Sequence, residues 1–317
     1  MKSRRKTTPK ISILIASRNR PEQLMVCLES IENNKFKSYE LVIGDQSSRN
    51  CSYKKILSKK NKVIYIRSTK IGKAKILNEM LGKARGEVIT FTDDDCIVSK
   101  DWLRNVYNYL KLNPTIAGVY GKILAHKPSN NKNLYCPSTV VRNNNIVTSD
   151  PYIDVCGTLG IGNNMAFRRD VFNKVGNFKE WLGVGSISIN GAEDVELSFR
   201  LLKSGYSLAY NPKISVYHNR WLTKYAYEKL VLGYTCGEIA FYSYYLLMGD
   251  KQMLFKLIIK CWDRFHHIIN VALNNLRINK RELNLFESFF LFVMLLYFIL
   301  RGLIIGMYAF AAYKLSG

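Results

Sequence analysis

Three neighbouring carboxylates, Asp93, Asp94 and Asp95, follow the apolar run Val88–Phe91 in the stretch "GEVITFTDDDCIVSKDWL". An extended chain turns alternate residues to one side, so this spacing predicts a shared face for Asp93 and Asp95. Two carboxylates that close repel each other unless a cation lies between them. A small set of hard oxygen ligands suits Mg2+ or Mn2+, ions that commonly tie one or two protein carboxylates to a diphosphate. The blander reading is a helix cap, but Ser99 or Asp101 is placed to cap a helix at Trp102 without the triplet.

A second acidic pair, Glu193 and Asp194, opens the helical pattern "GAEDVELSFRLLKSGY". Leu197, Leu201 and Leu202 give that helix an apolar face, and Gly205 is a terminator. Acids at a helix N-terminus also simply suit its dipole. Here, however, they follow "WLGVGSISING", a glycine-rich loop of a kind that folds over a ligand and delivers a carboxylate able to take a proton from a hydroxyl. His218, in "NPKISVYHNRW", stands at the end of a short strand pattern as a further metal or phosphate ligand, or as a structural histidine.

These side chains need a frame. Ile11–Ala16, Tyr39–Gly44, Val63–Ile66 and Glu87–Phe91 read as strands, with helices opening at Pro21 and running from Lys73 to Ala84. "AGVYGKIL" is a further strand. Strands alternating with helices predict an α/β fold with a mostly parallel sheet, and such sheets bind ligands beyond the C-terminal ends of their strands, where the acids lie. Residues 1–10 form a basic N-terminal arm, 11–225 the α/β domain, and 226–317 a helical C-terminal region.

Composition narrows the setting. The 317 residues carry 47 Lys+Arg against 24 Asp+Glu, a formal net charge of +23, so a polyanion or an anionic membrane surface is the expected partner. Seven scattered cysteines without a CxxC pair read as reduced thiols in a cytosolic compartment. The basic N-terminus is followed by too short an apolar run for an export signal. Within 285–313, "FFLFVMLLYFIL" and "GLIIGMYAFAAY" are long enough together to span a bilayer, where ~20 apolar residues suffice. Arg301 between them would cost roughly 2.5–3.5 kcal/mol at the centre of a lone span. Two arrangements stay open, a tilted span and a helical hairpin at the interface, beside that of a buried helix in a soluble domain. Gly302 and Gly306 have the small-xxx-small spacing that permits close helix contact. Lys280, Arg281 and Lys314 flank the segment and suit anionic headgroups.

Taken in order, "ISILIASRNRPEQLMVCLESI", "YELVIGDQSS", "IGKAKILNEMLGKARGEVITFTDDDC", "GIGNNMAFRRDVFNKVGNF" and "GAEDVELSFRLLKSGY" resemble the signposts of the family 2 glycosyltransferases, inverting and metal-dependent enzymes of the GT-A fold. The resemblance covers about residues 11–220. It implies that Ala16 and Ser17 line a nucleoside pocket and that Asp45 contacts the base or ribose. Lys73, Asn78, Asp93 and Asp94 lie on the donor side by the same resemblance. Asp95, Asp93 and His218 are then the ligands of Mn2+ or Mg2+. Asp194 is implied as the general base, with Glu193 orienting it or the acceptor. The implied partners are a nucleotide-sugar donor, UDP-sugar as the commonest type, and a glycan or lipid-linked acceptor. The implied location is the cytoplasmic face of a bacterial inner membrane, in surface polysaccharide synthesis, with no nucleic acid involved.

There are departures from the pattern. Gln46-Ser47-Ser48 follows Asp45 where Asp-Gly-Ser is common, and Leu77 stands where many members carry Arg, leaving Lys73 or Lys75 to supply the charge. The Gln-x-x-Arg-Trp motif of processive members is absent, since Tyr217 precedes Arg220-Trp221, so one sugar per encounter is expected. A sugar-phosphate nucleotidylyltransferase would need a glycine-rich basic loop after the first strand, where "SRNRPEQ" has no glycine. A nucleic-acid binder would cluster its basic residues, which here are spread along the chain. A transferase that binds but does not turn over its donor would not need Asp93, Asp95 and Asp194 together.

Overall fold

The computed structural model describes residues 8–48, 53, 63–126, 133–185, 191–277 and 285–316. Most of the basic arm, residues 186–190 of the glycine-rich loop, and Lys280 and Arg281 lie outside the described residues. The chain packs as two units. The first runs through Met1–Lys127, Ser138–Phe178 and Leu197–Arg220, the second through Pro128–Pro137, Lys179–Glu196 and Trp221–Gly317.

The first unit is built on β1 (Ile11–Ser17), α1 (Pro21–Glu32), β2 (Tyr39–Asp45), β3 (Val63–Arg67), α2 (Lys73–Leu81), β4 (Val88–Thr92), β5 (Cys96–Val98), α3 (Trp102–Leu112) and β6 (Ile116–Ala125). The small β7 (Leu134–Tyr135) belongs to the second unit. The first resumes with β8 (Ile146–Thr148), α4 (Val155–Thr158), β9 (Asn164–Arg168) and α5 (Val171–Val175), and after α6 (Glu193–Lys203) closes with β10 (Ser207–His218). The sheet order is β3-β2-β1-β4-β9-β6-β10-β5, with β8 also on β10. β3, β2, β1 and β4 are parallel, whereas β9 runs antiparallel between β4 and β6. β1 and β4 are buried almost throughout, as strands covered on both faces must be. Helix α1 buries Leu24, Cys27, Leu28 and Ile31, a period that matches one helical face. A Cβ on Gly44 would lie 2.3 Å from Ile76 Cγ1, so glycine there lets α2 settle against β2. Phe91, Phe167, Phe172 and Phe178 form an edge-stacked aromatic core, with the Phe91 and Phe178 centroids 5.5 Å apart.

The expected strands are present, most one residue longer at the C-terminal end. Helix α2 stops at Leu81, short of the expected Ala84, because Gly82 caps it. The strand ending at His218 is not short: β10 has 12 residues and pairs with β5, β6 and β8.

The second unit holds a β7–β11 ribbon, with β11 at Leu222–Thr223, and the helices α7 (Lys224–Leu247), α8 (Gln252–Arg277) and α9 (Leu285–Ser316). Thr223 Oγ1 accepts from Ala226 N and caps α7. Helix α9 is continuous through Arg301, which excludes the hairpin arrangement. A Cβ on Gly302 or Gly306 would come within 2.7 Å of the Cys236 or Ala240 carbonyl oxygen, so the small-xxx-small pair does bring α9 onto the α7 backbone. Lys224 and His267 pair with the buried Glu228, and Lys260 pairs with Glu238.

Candidate active site

In the order β3-β2-β1-β4, successive strands leave β1 in opposite directions along the sheet, and the crevice at such a switch point receives ligands. β1 and β2 end level there, with Ser17 opposite Asp45. The acidic triplet follows β4. It is a turn rather than an extended segment, since Cys96 N donates to Asp93 O at 3.1 Å and the chain re-enters the sheet as β5. The expected shared face of Asp93 and Asp95 is therefore replaced by another grouping, in which the neighbours Asp94 and Asp95 converge on one cation.

That cation is Arg20, at the N-cap of α1. Its Nη1 donates to Asp94 Oδ1 and to Asp95 Oδ2, both at 3.1 Å. Ser17 Oγ donates to Asp94 Oδ2 at 2.6 Å and also contacts the Tyr53 hydroxyl, which accepts from Arg20 N at 2.7 Å. Burial outweighs these partners and raises the Asp94 carboxyl to about 6. For Asp95 burial acts in the same direction, but the close contact and charge of His218, with Arg20 and Arg220, prevail and hold it below the ordinary carboxylate value. Arg20 is likewise opposed by burial and is raised on balance by Asp94 and Asp95.

Lys73 opens α2 and donates to Asp93 Oδ1 at 2.7 Å. Leu77 is buried in the core. Asp45 is fully buried and accepts from Ser47 N and the Tyr65 hydroxyl, with Arg67 Nη1 3.5 Å away. The unusual Gln46 uses its amide to hold the carbonyls of Lys70 and Gly72, tying the turn after β2 to the start of α2. Ala16 pairs with Gly44 one residue before the end of β1. Asn78 donates to Phe178 O and accepts from Phe178 N, both at 3.0 Å, so its amide ties α2 to that chain segment.

His218 stands opposite Cys96 in the β5–β10 pairing, and its Nε2 lies 3.3 Å from Asp95 Oδ1. That oxygen is buried and makes no hydrogen bond of good geometry among the described residues. Asp95, Cys96 and His218 offer ligand atoms within 4.8 Å of one another. Burial, reinforced by Asp93 and Asp95, pushes the Cys96 thiol well above its ordinary value, so it stays protonated and is a poor ligand for a hard cation. The unpartnered Asp95 Oδ1 and the His218 nitrogen form an oxygen–nitrogen pair that fits a divalent cation.

In the second unit, Glu193 is buried and Asp194 half-buried at the first turn of α6, where Asp194 Oδ1 accepts from Val195 N. Gly191 and Ala192 lead in with φ of 104° and 83°, a left-handed entry that is strained for alanine. One turn later, Tyr245 donates to the buried Glu196 at 2.6 Å.

Arg20, Tyr53 and Cys96 were not among the expected site residues. Arg20 had a signal in sequence, as a basic residue directly before the first-turn Pro21, but its partners are set only by the turn after β4.

The sequence profile of Glycosyl transferase family 2 matches residues 12–176, which takes in β1, the acidic turn and β9. The chain belongs to glycosyl transferase family 2. Among curated family relatives, it is 28% identical over 135 residues to the O-antigen chain rhamnosyltransferase RfbN of Salmonella typhimurium, covering 42% of this chain and 40% of that protein. It is 28% identical over 127 residues to the GalNAc(5)-diNAcBac-PP-undecaprenol beta-1,3-glucosyltransferase of Campylobacter jejuni, covering 38% and 40%. To the O-antigen chain rhamnosyltransferase WbaN of Salmonella anatum it is 25% identical over 185 residues, covering 57% and 56%. The chain thus matches from two fifths to just over half the length of these proteins. The crystal structure of S. aureus TarS 1-349 superposes with a TM-score of 0.51 at 15% identity, over 70% of this chain and 64% of that one, a likeness of fold. The family 2 assignment and this likeness agree with the GT-A architecture.

Proposed function

We propose that this family 2 protein transfers one sugar from a nucleoside-diphosphate sugar, UDP-sugar foremost, to a hydroxyl of a lipid-linked glycan, with inversion at the anomeric carbon. The location proposed is the cytoplasmic face of a bacterial membrane, in surface polysaccharide synthesis. The observation that carries this reading is the turn after β4, where Asp93, Asp94 and Asp95 are met by Lys73, Arg20 and His218 at the sheet's switch point. The printed names of the relatives, two acting on O-antigen chains and one on an undecaprenol-linked glycan, support a lipid-linked or polysaccharide acceptor.

In this reading Ala16, Ser17 and Asp45, at the ends of β1 and β2, face the nucleoside. Lys73 stands beside Asp93 to meet diphosphate charge. Asp95 and His218, with Asp93 nearby, would hold a divalent cation, Mn2+ or Mg2+, which offsets charge on the departing nucleoside diphosphate when bound. Arg20 keeps Asp94 and one oxygen of Asp95 neutralised, leaving the other oxygen of Asp95 to the cation. Asp194 takes the proton of the acceptor hydroxyl, and Glu193 orients it. A single displacement needs one base and no carboxylate nucleophile, in contrast to the paired carboxyls of retaining glycosidases.

The test is a screen of nucleotide-sugars with Mn2+, read as nucleoside-diphosphate release with and without lipid extract. Asp194→Asn should bind donor and fail to transfer, whereas full transfer by that variant would reject the assigned base.

A further inference from the structure

Helix α8 has two apolar faces, and only one of them is packed. Met253 and Ile268 are buried, while Phe255, Ile258, Ile259, Trp262, Phe265 and Ile269 are exposed, Trp262 to 66%. At 100° per residue these six fall on an arc roughly 120° wide. Helix α9 repeats the pattern. Leu291, Leu295, Gly302 and Gly306 face inward, while Val293, Leu296, Leu300, Ile304, Met307 and Tyr308 lie exposed on an arc of similar width on the opposite side. The two stripes adjoin, since Phe265 at the margin of one packs on Phe292 beside the other, centroids 5.8 Å apart.

We infer that these stripes form one membrane-insertion surface, with α8 and α9 lying in the plane of an anionic leaflet and α9 not crossing it. The surface deepens the reading of a lipid-linked acceptor, yet it stands on its own observations. Its occupant is indicated by composition: no acid lies on either stripe, and Trp262, Tyr297 and Tyr308 are of the type that settles at headgroup depth. Lys251 precedes the α8 stripe and Lys314 stands near the end of α9, and the chain is strongly basic, a charge that complements anionic lipid.

Three features favour lying over spanning. Glu287–Leu315 is long and apolar enough to cross a bilayer, but Arg301 is at its midpoint, where a span would put the guanidinium at the bilayer centre. On the in-plane helix Arg301 sits at the margin of the stripe, its Nη1 donating to the Tyr297 hydroxyl at 2.7 Å, at a depth where it reaches headgroups. Moreover, α9 is held backbone-close along α7, so a crossing α9 would draw in a helix that carries Glu228 and Glu238 with their ion pairs. Finally, 32 residues rise about 48 Å, well beyond the ~30 Å hydrocarbon core.

The experiment uses the full chain without donor or acceptor, so its outcome is separate from that of the transfer assay. Co-flotation with phosphatidylglycerol/phosphatidylcholine vesicles should exceed that with phosphatidylcholine alone, and Trp262 emission should shift to the blue, a shift absent from Trp262→Phe. The combined variant Phe255→Ser, Trp262→Ser, Leu300→Ser should keep its melting temperature and lose at least about tenfold in vesicle affinity. Tags at the two termini should share one fate under protease in sealed membrane vesicles, both cut or both protected. Opposite fates would establish a crossing helix and overturn the inference. So would undiminished flotation of the variant, including the case in which the variant instead dissolves a dimer in sedimentation and the stripe is a contact between copies.

Discussion

The imidazole of His218 lies 3.3 Å from Asp95 Oδ1 although the two residues come from distant parts of the first unit's sequence. The β5–β10 pairing, which sets Cys96 opposite His218, makes them neighbours. His218→Ala and Asp95→Asn should each weaken Mn2+ binding by roughly 10- to 100-fold, an effect in the range expected when an ordered metal shell is disturbed. Calorimetry or the electron paramagnetic resonance of free Mn2+ reads this directly. Unchanged affinity in both variants would move the cation site elsewhere.

Asp94 predicts a pH dependence of stability in the metal-free protein. Its carboxyl is raised by burial from an ordinary 3.8 to about 6, so the folded state holds a proton that the unfolded chain has already released in this window. This group's contribution therefore makes stability fall as pH rises from about 4 to 6, by roughly 3 kcal/mol in total, with the full cost present above that range. Asp94→Asn removes the titration. Melting temperatures in EDTA should show the variant gaining on the parent chain as pH goes from 4.5 to 7, and parallel curves would contradict the assignment.

Lys73 provides a graded test of the donor side. Its ammonium meets Asp93 at 2.7 Å on a partly exposed pair, so it contributes little to folding. Lys73→Ala should leave the melting temperature within a degree or two and raise the donor KM about tenfold, the loss of one charged contact. A fall in kcat at unchanged KM would instead assign the ammonium to the leaving-group step.

Gly302 tests the helical unit. A side chain there must push against the Cys236 carbonyl and Ile239. Gly302→Leu should cost roughly 1–3 kcal/mol by overpacking, and Leu300→Ser, on the exposed side of the same helix, almost nothing. Urea titrations of both variants make the comparison.

Much of this was legible in sequence because it depends on local pattern. Apolar runs bounded by Gly, Asp and Pro fixed the strands of the first unit, and the glycine spacing in α9 anticipated its contact with α7. The acidic triplet was legible as a site but not in shape, because alternation holds only while the chain stays extended and here it turns at Asp93. Arg20 was missed because its partners come from a distant strand end. The tie between Asn78 and the Phe178 backbone was hidden for a similar reason, the two being 100 residues apart in the chain. The outward stripe of α8 escaped because its apolar residues are interrupted in sequence by Lys256, Lys260 and Asp263 and become contiguous only when wound on a helix.

The position of β5 has a consequence for biogenesis. Its partner β10 is made long after it, so the loop bearing the acids has no closing strand until His218 has left the ribosome. Such non-local closure is slow and comes late. A nascent chain halted before residue 207 would therefore carry every aspartate of the triplet and still lack the strand that sets His218 beside Asp95.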